Sequence, residues 1–137
     1  MTATKILAWT IAVLLSATAV ALAHGLVAVA NPLLGSAYFD LLFQSAFVVA
    51  LAHAIMLGVP AALIYRRRGW DSLIAVAIGG ALIGMLPFSI LALILLSPVA
   101  LTQLAFIAML GGYGALGALV FWLTLRLCDR RSLPTGM

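Results

Sequence analysis

Charge is what this sequence has least of. Only 7% of its 137 residues are charged and glutamate is absent, whereas a soluble domain carries about 25% charged residues. A chain so poor in charge is not built to face water, which excludes an ordinary soluble enzyme or binding module. The three carboxylates, Asp40, Asp71 and Asp129, sit at the edges of apolar runs. None is left for mid-membrane, where a proton-coupled cation exporter needs one. The single cysteine, Cys128, excludes an internal disulfide framework and any CxxC redox pair. Ser16, Ser45 and Ser89 have no base at recognisable spacing, so nucleophilic catalysis has no support.

What is present is apolar: 66% of residues are hydrophobic. A membrane-crossing helix takes about 20 apolar residues, so the length accommodates four spans and little else. The expected fold is all-α, one domain forming an integral membrane bundle of four antiparallel transmembrane helices joined by short loops. The spans are placed at about 6–30, 41–65, 72–96 and 99–127. Residues 1–23 also read as a secretory signal, with Ala21-Leu22-Ala23 as a small-residue cleavage site. The apolar run continues past that site through Ala30, which favours a retained first span.

The net charge of +4 does not point to nucleic acid, because the basic residues flank hydrophobic runs. Four spans place Lys5, Arg66, Arg67, Arg68, Arg126, Arg130 and Arg131 on one side. An excess of Lys and Arg marks the cytoplasmic side, so both termini are expected there, in a cell inner membrane. The Arg66–Arg68 triplet could also hold anionic lipid, although its topological role already accounts for it.

Small residues are the next signal. Ala46, Ala50, Ala54 and Gly58 recur every fourth position along the second span. Gly80 and Gly84 form a GxxxG in the third span, and Gly111 and Gly114 belong to a glycine cluster in the fourth. Small side chains let membrane helices approach closely, so these positions are expected to pack against other helices. In the first span Thr10, Ala17, His24 and Asn31 share one side. Asn31-Pro32 ends that span. Pro60 removes a backbone donor near the arginine end of the second span and predicts a local kink.

The candidate functional polar residues are His53, His24, Tyr113 and Asn31. At about 100° per residue His53 lies within roughly 20–60° of Ala46 and Ala50, on the packing face. The two histidines could together ligate haem or copper, with Met56 one turn from His53. Their unequal depths argue against a shared site, and the expected cofactor and metal content is none. A neutral imidazole bonded to a backbone carbonyl or a neighbouring hydroxyl is the plainer reading. Tyr113 needs a hydrogen-bond partner when buried, and His53 is the expected one.

Four-span size is shared with small multidrug exporters, fluoride channels and toxin-immunity proteins. This chain lacks the buried Glu of the first and the mid-helix Asn with paired Phe of the second. Immunity proteins share only size and topology, a weak warrant. The expected function is non-enzymatic, exercised through intramembrane helix contacts, with the lipid bilayer and a membrane protein or a second copy as partners. The alternatives are a small-solute or ion pathway and an immunity factor against a membrane-active toxin.

Overall fold

The computed structural model describes residues 3–30, 38–70, 72–94 and 101–130. They are helical almost throughout: α1 (Ala3–Ala30), α2 (Phe39–His53), a π-helical turn (Ala54–Gly58), α3 (Val59–Arg68), α4 (Leu73–Ile94) and α5 (Leu101–Arg130). The segments α2, the π turn and α3 form one continuous second span. Four helices are therefore long and apolar enough to cross a membrane. The linkers containing Asn31-Pro32, Asp71 and Ser97-Pro98 lie outside the described residues, as does Arg131.

Local chemistry explains the element ends. The Oγ of Ser72 accepts a hydrogen bond from the Ala75 N–H at 3.2 Å, capping the start of α4. At the other end of the preceding loop, Gly69 adopts a left-handed conformation, φ +69°. Its N–H donates to the Arg66 carbonyl and the Trp70 N–H donates to the Tyr65 carbonyl. That pair of bonds is a Schellman stop, and it brings the rings of Tyr65 and Trp70 together at 6.0 Å. Asp40 occupies the first turn of α2, where the helix dipole favours a carboxylate.

The disturbance predicted around Pro60 takes the form of the π turn just before it. The Val59 N–H bonds back five residues to the Ala54 carbonyl, and the Ala54 N–H is shared between the carbonyls of Ala50 and Leu51. Pro60 has no N–H to return to the Met56 carbonyl, so widening the ladder by one residue adjusts the helix without ending it. α4 likewise runs through Pro87.

The spans lie side by side in the order second span, α1, α5, α4, with the π turn also approaching α4. The buried side chains are mostly small: Ala12, Val13, Ser16, Ala17 and Ala21 on α1, with Leu125 on α5. Between α4 and α5 the backbones touch. A Cβ on Gly80 or Gly84 would run into backbone atoms of Gly114, and one on Gly114 would meet Gly80 and Gly84. Gly111 takes the Met85 side chain instead. In lipid there is no hydrophobic force between helices, so this close approach and the dispersion contacts it permits hold the pair together.

The buried face of α1 differs from the expected Thr10–Asn31 line. Thr10 is exposed and bonds its hydroxyl to its own Ile6 carbonyl at 3.0 Å. Of that line Ala17 is buried and His24 meets Tyr113 of α5, and the inward face also takes in Ala12, Val13, Ser16 and Ala21, because α5 and the second span share this helix between them.

Candidate functional site: a cleft between the spans

Side-by-side packing leaves a partly open cleft of about 390 Å³ whose wall includes residues from all four spans. The volume lies within the range of about 300–1,000 Å³ usual for small-molecule sites. The second span supplies Ala46, Ala50, Ala54 and Gly58, and α4 supplies Gly80 and Gly84. The wall is almost wholly apolar along its middle. Its polar members are His24, His53, Ser16, Ser45, Tyr113 and, at one end, Tyr65, Arg66, Trp122 and Arg126.

The small-residue ladder of the second span thus takes a different part from the helix–helix seam expected of it. No residue of this span is buried. A Cβ on Gly58 would meet only its own helix, His53 O at 3.9 Å and Ala54 Cβ at 4.0 Å. Here small side chains widen a cleft, whereas at Gly80 and Gly114 they let backbones meet. Helical periodicity is the same in both cases, and only the neighbouring helix decides between them.

The histidines both line the cleft but hold separate positions. His53 Nδ1 lies 3.2 Å from the Val49 carbonyl of its own helix, a contact in which a protonated Nδ1 donates. His24 meets the Tyr113 ring edge-on, with centroids 5.6 Å apart and an interplanar angle of 79°. Tyr113 was expected to pair with His53. It packs on His24 instead, and its buried hydroxyl has no hydrogen-bond partner among the described residues.

Register separates the two imidazoles. Phe39 covers Gly25 at one end of the α1–second span contact, while Ile6 and Thr10 share an outer groove with Val59 and Leu63 at the other. His53 therefore sits near the level of Ser16, about 12 Å along the helix axis from His24 at 1.5 Å per residue. Ligands of one metal converge within a few ångströms. Met56 is 74% exposed and outside the cleft wall, so it adds no third donor. Among the described residues no three His, Cys, Asp or Glu side chains gather as a metal-binding group. Asn31 lies outside the described residues.

The hydroxyls divide in the same way. Thr18, Ser45, Ser89 and Thr124 bond to carbonyls of their own helices. Ser16 instead reaches another helix, donating from Oγ to the Gly117 carbonyl at 2.9 Å. Its signal in the sequence was faint. Ser16 stands among small residues at helical spacing, which marks a packing face without naming the acceptor.

The arginine end is an aromatic–cationic cluster. Arg66 lies over Trp9 at 5.7 Å, Arg68 over Trp70 at 5.3 Å and Arg126 over Trp122 at 4.3 Å. Trp9 in turn meets Phe121 of α5 edge-on at 5.4 Å. The Tyr65 ring covers Gly79 of α4, with its Cζ 2.8 Å from where a Cβ would stand. The Schellman stop at Gly69 fixes this end of the second span, and the Arg66 and Tyr65 contacts draw it to α1 and α4. Of the triplet, Arg66 lines the cleft together with Arg126, whereas Arg67 and Arg68 lie outside its wall.

What the arrangement offers is an apolar, membrane-length cleft with two guanidinium groups at one end and two separated imidazoles along it. No family model matches the chain, and neither a curated protein nor a solved structure gives a significant match.

Proposed function

We propose that this chain is a non-catalytic, multi-pass inner-membrane protein whose four helices run antiparallel with both termini in the cytoplasm, and that it works through contacts made inside the bilayer. It acts as an accessory subunit of a larger membrane assembly or by self-association. The observation that carries this reading is the second span. It buries no residue within the chain and packs mainly along α1, while α1, α5 and α4 interlock through buried small residues. A span packed mainly on α1, with lesser contact to α4 at the π turn and Tyr65, gains from a further neighbour.

Support for the topology comes from pairings whose numbers run in opposite directions along neighbouring helices. Trp9, Ser16 and His24 of α1 meet Phe121, Gly117 and Tyr113 of α5. All three tryptophan–arginine pairs belong to the end that carries the basic excess. In a Cys128→Ser background, Lys5→Cys stays protected from a membrane-impermeant thiol reagent added to intact cells, while Asp40→Cys reacts. The functional reading is tested by native co-purification with cross-linking through the second span. Isolation as a monomer without any partner would overturn it.

A second reading, a small-solute pathway, rests on the cleft and its two imidazoles. Solute flux into liposomes containing the purified protein separates it from the first.

A further inference from the structure

The cleft differs at its two ends, and the difference is chemical. From Ser45 to Arg66 its wall follows the second span for about 31 Å at 1.5 Å per residue, close to the thickness of the hydrocarbon core. Along that length it is lined mostly by alanines, glycines and apolar side chains, with Ser16, Ser45, Tyr113 and the two separated imidazoles of His24 and His53 among them. At one end Arg66 and Arg126 enter the wall from two different helices, Arg66 beside Trp9 and Arg126 stacked on Trp122.

Size decides what can lie there. Spread over its length and allowing for the radius of a water molecule, the volume corresponds to a bore of roughly 7 Å, narrower than the 10–12 Å of a helix with its side chains. A mean width of that order matches a single hydrocarbon chain better than a transmembrane helix of a partner or of a second copy. Charge decides the other half. Guanidinium groups recognise phosphate through paired hydrogen bonds, and anionic lipids draw basic residues to the membrane surface.

We propose that the cleft is a binding site for one anionic phospholipid, its phosphate headgroup held by Arg66 and Arg126 and one acyl chain lying along Gly58, Ala54 and Ala50. The alanine and glycine ladder is then the channel for the chain, and the basic end sets the orientation of the bound molecule. This goes beyond the intramembrane-contact reading and is tested separately from it.

The experiment is native mass spectrometry of the full-length protein released from detergent micelles doped with phosphatidylglycerol or phosphatidylcholine. The wild type retains one phosphatidylglycerol in preference to phosphatidylcholine. Each basic residue near an anionic headgroup contributes about fivefold in binding, so Arg66→Gln with Arg126→Gln weakens retention about thirtyfold. The Arg67→Gln, Arg68→Gln pair, outside the cleft wall, leaves it nearly unchanged. Gly58 lines the cleft and a Cβ there meets no neighbouring helix, so Gly58→Leu adds bulk to the wall and lowers retention of both lipids. Ala50→Leu is the second blocking variant should Gly58→Leu disturb the π turn, with helicity checked by circular dichroism.

Equal weakening by both arginine pairs would reduce the effect to general surface charge and overturn the site. So would blocking variants that fold but retain phosphatidylglycerol as well as the wild type. Glycerol 3-phosphate competing as strongly as the lipid would assign the site to free phosphate, and a dimer abolished by Gly58→Leu would assign it to a second copy. Loss of lipid retention while a partner protein still co-purifies rejects this inference alone. A lipid-loaded monomer without a partner rejects only the preceding reading.

Discussion

Gly80 and Gly114 pack backbone against backbone, with no side chain of either residue between α4 and α5. At both positions an added Cβ meets main-chain atoms, which cannot turn aside as a flexible side chain can. Gly114→Leu is therefore expected to separate the two helices and destabilise the protein by more than the about 1–3 kcal/mol usual for overpacking. Gly112→Ala, two residues away, meets nothing within 4 Å and serves as the control. Unfolding by sodium dodecyl sulfate in mixed micelles compares them, and equal midpoints would contradict this account of the crossing.

The Ser16–Gly117 hydrogen bond joins α1 to α5 in a buried setting. Such interhelical bonds contribute about 0.6 kcal/mol on average and up to about 1.7 kcal/mol in membrane proteins. Ser16→Ala should cost an amount in that range. Ser89→Ala removes only a bond within its own helix and should change the unfolding midpoint little.

Tyr113 presents the opposite case. Its buried hydroxyl lacks a partner among the described residues, and a group in that condition costs about 1–3 kcal/mol. Tyr113→Phe keeps the edge-on contact with His24 and deletes the unpaired group. The variant is expected to be as stable as the wild type or more so by about 1 kcal/mol. A clear loss of stability would reveal that the hydroxyl has a partner in the membrane.

Gly69 is set by backbone conformation alone. Nothing lies within 4 Å of a Cβ there, yet its φ of +69° is one that side chains other than glycine adopt at a cost. Gly69→Ala should lower stability by about 1–2 kcal/mol, and Gly69→Asn by less because Asn tolerates the left-handed region. Because the Schellman stop also seats Tyr65 and Trp70, limited proteolysis should find the loop after Arg68 more susceptible in the alanine variant.

Much of the architecture was legible in one dimension. Apolar runs of membrane length, interrupted by Pro, Gly and charge, are a local property, so four helices able to span a membrane could be read from composition and spacing. That Gly80, Gly84, Gly111 and Gly114 stand at helix-packing positions could be expected from their spacing, but that Gly80 and Gly84 meet Gly114 was not legible. The π turn was half legible: Pro60 announced a defect in the ladder, but how the helix would accommodate it depended on the neighbouring carbonyls.

The sequence by itself determined how many spans there are, where the basic residues cluster, and which residues share a helical face. Only the tertiary structure decided what each face meets. The Ala46–Gly58 ladder and the Gly80–Gly84 motif have the same period, yet one lines a cleft and the other a backbone contact. Tyr113 turned to His24 rather than His53, and Ser16 found the Gly117 carbonyl a hundred residues away. The physical reason is that a 3.6-residue period fixes directions around one axis, whereas a partner is fixed by the register between axes. That register is set jointly by every helix in the bundle.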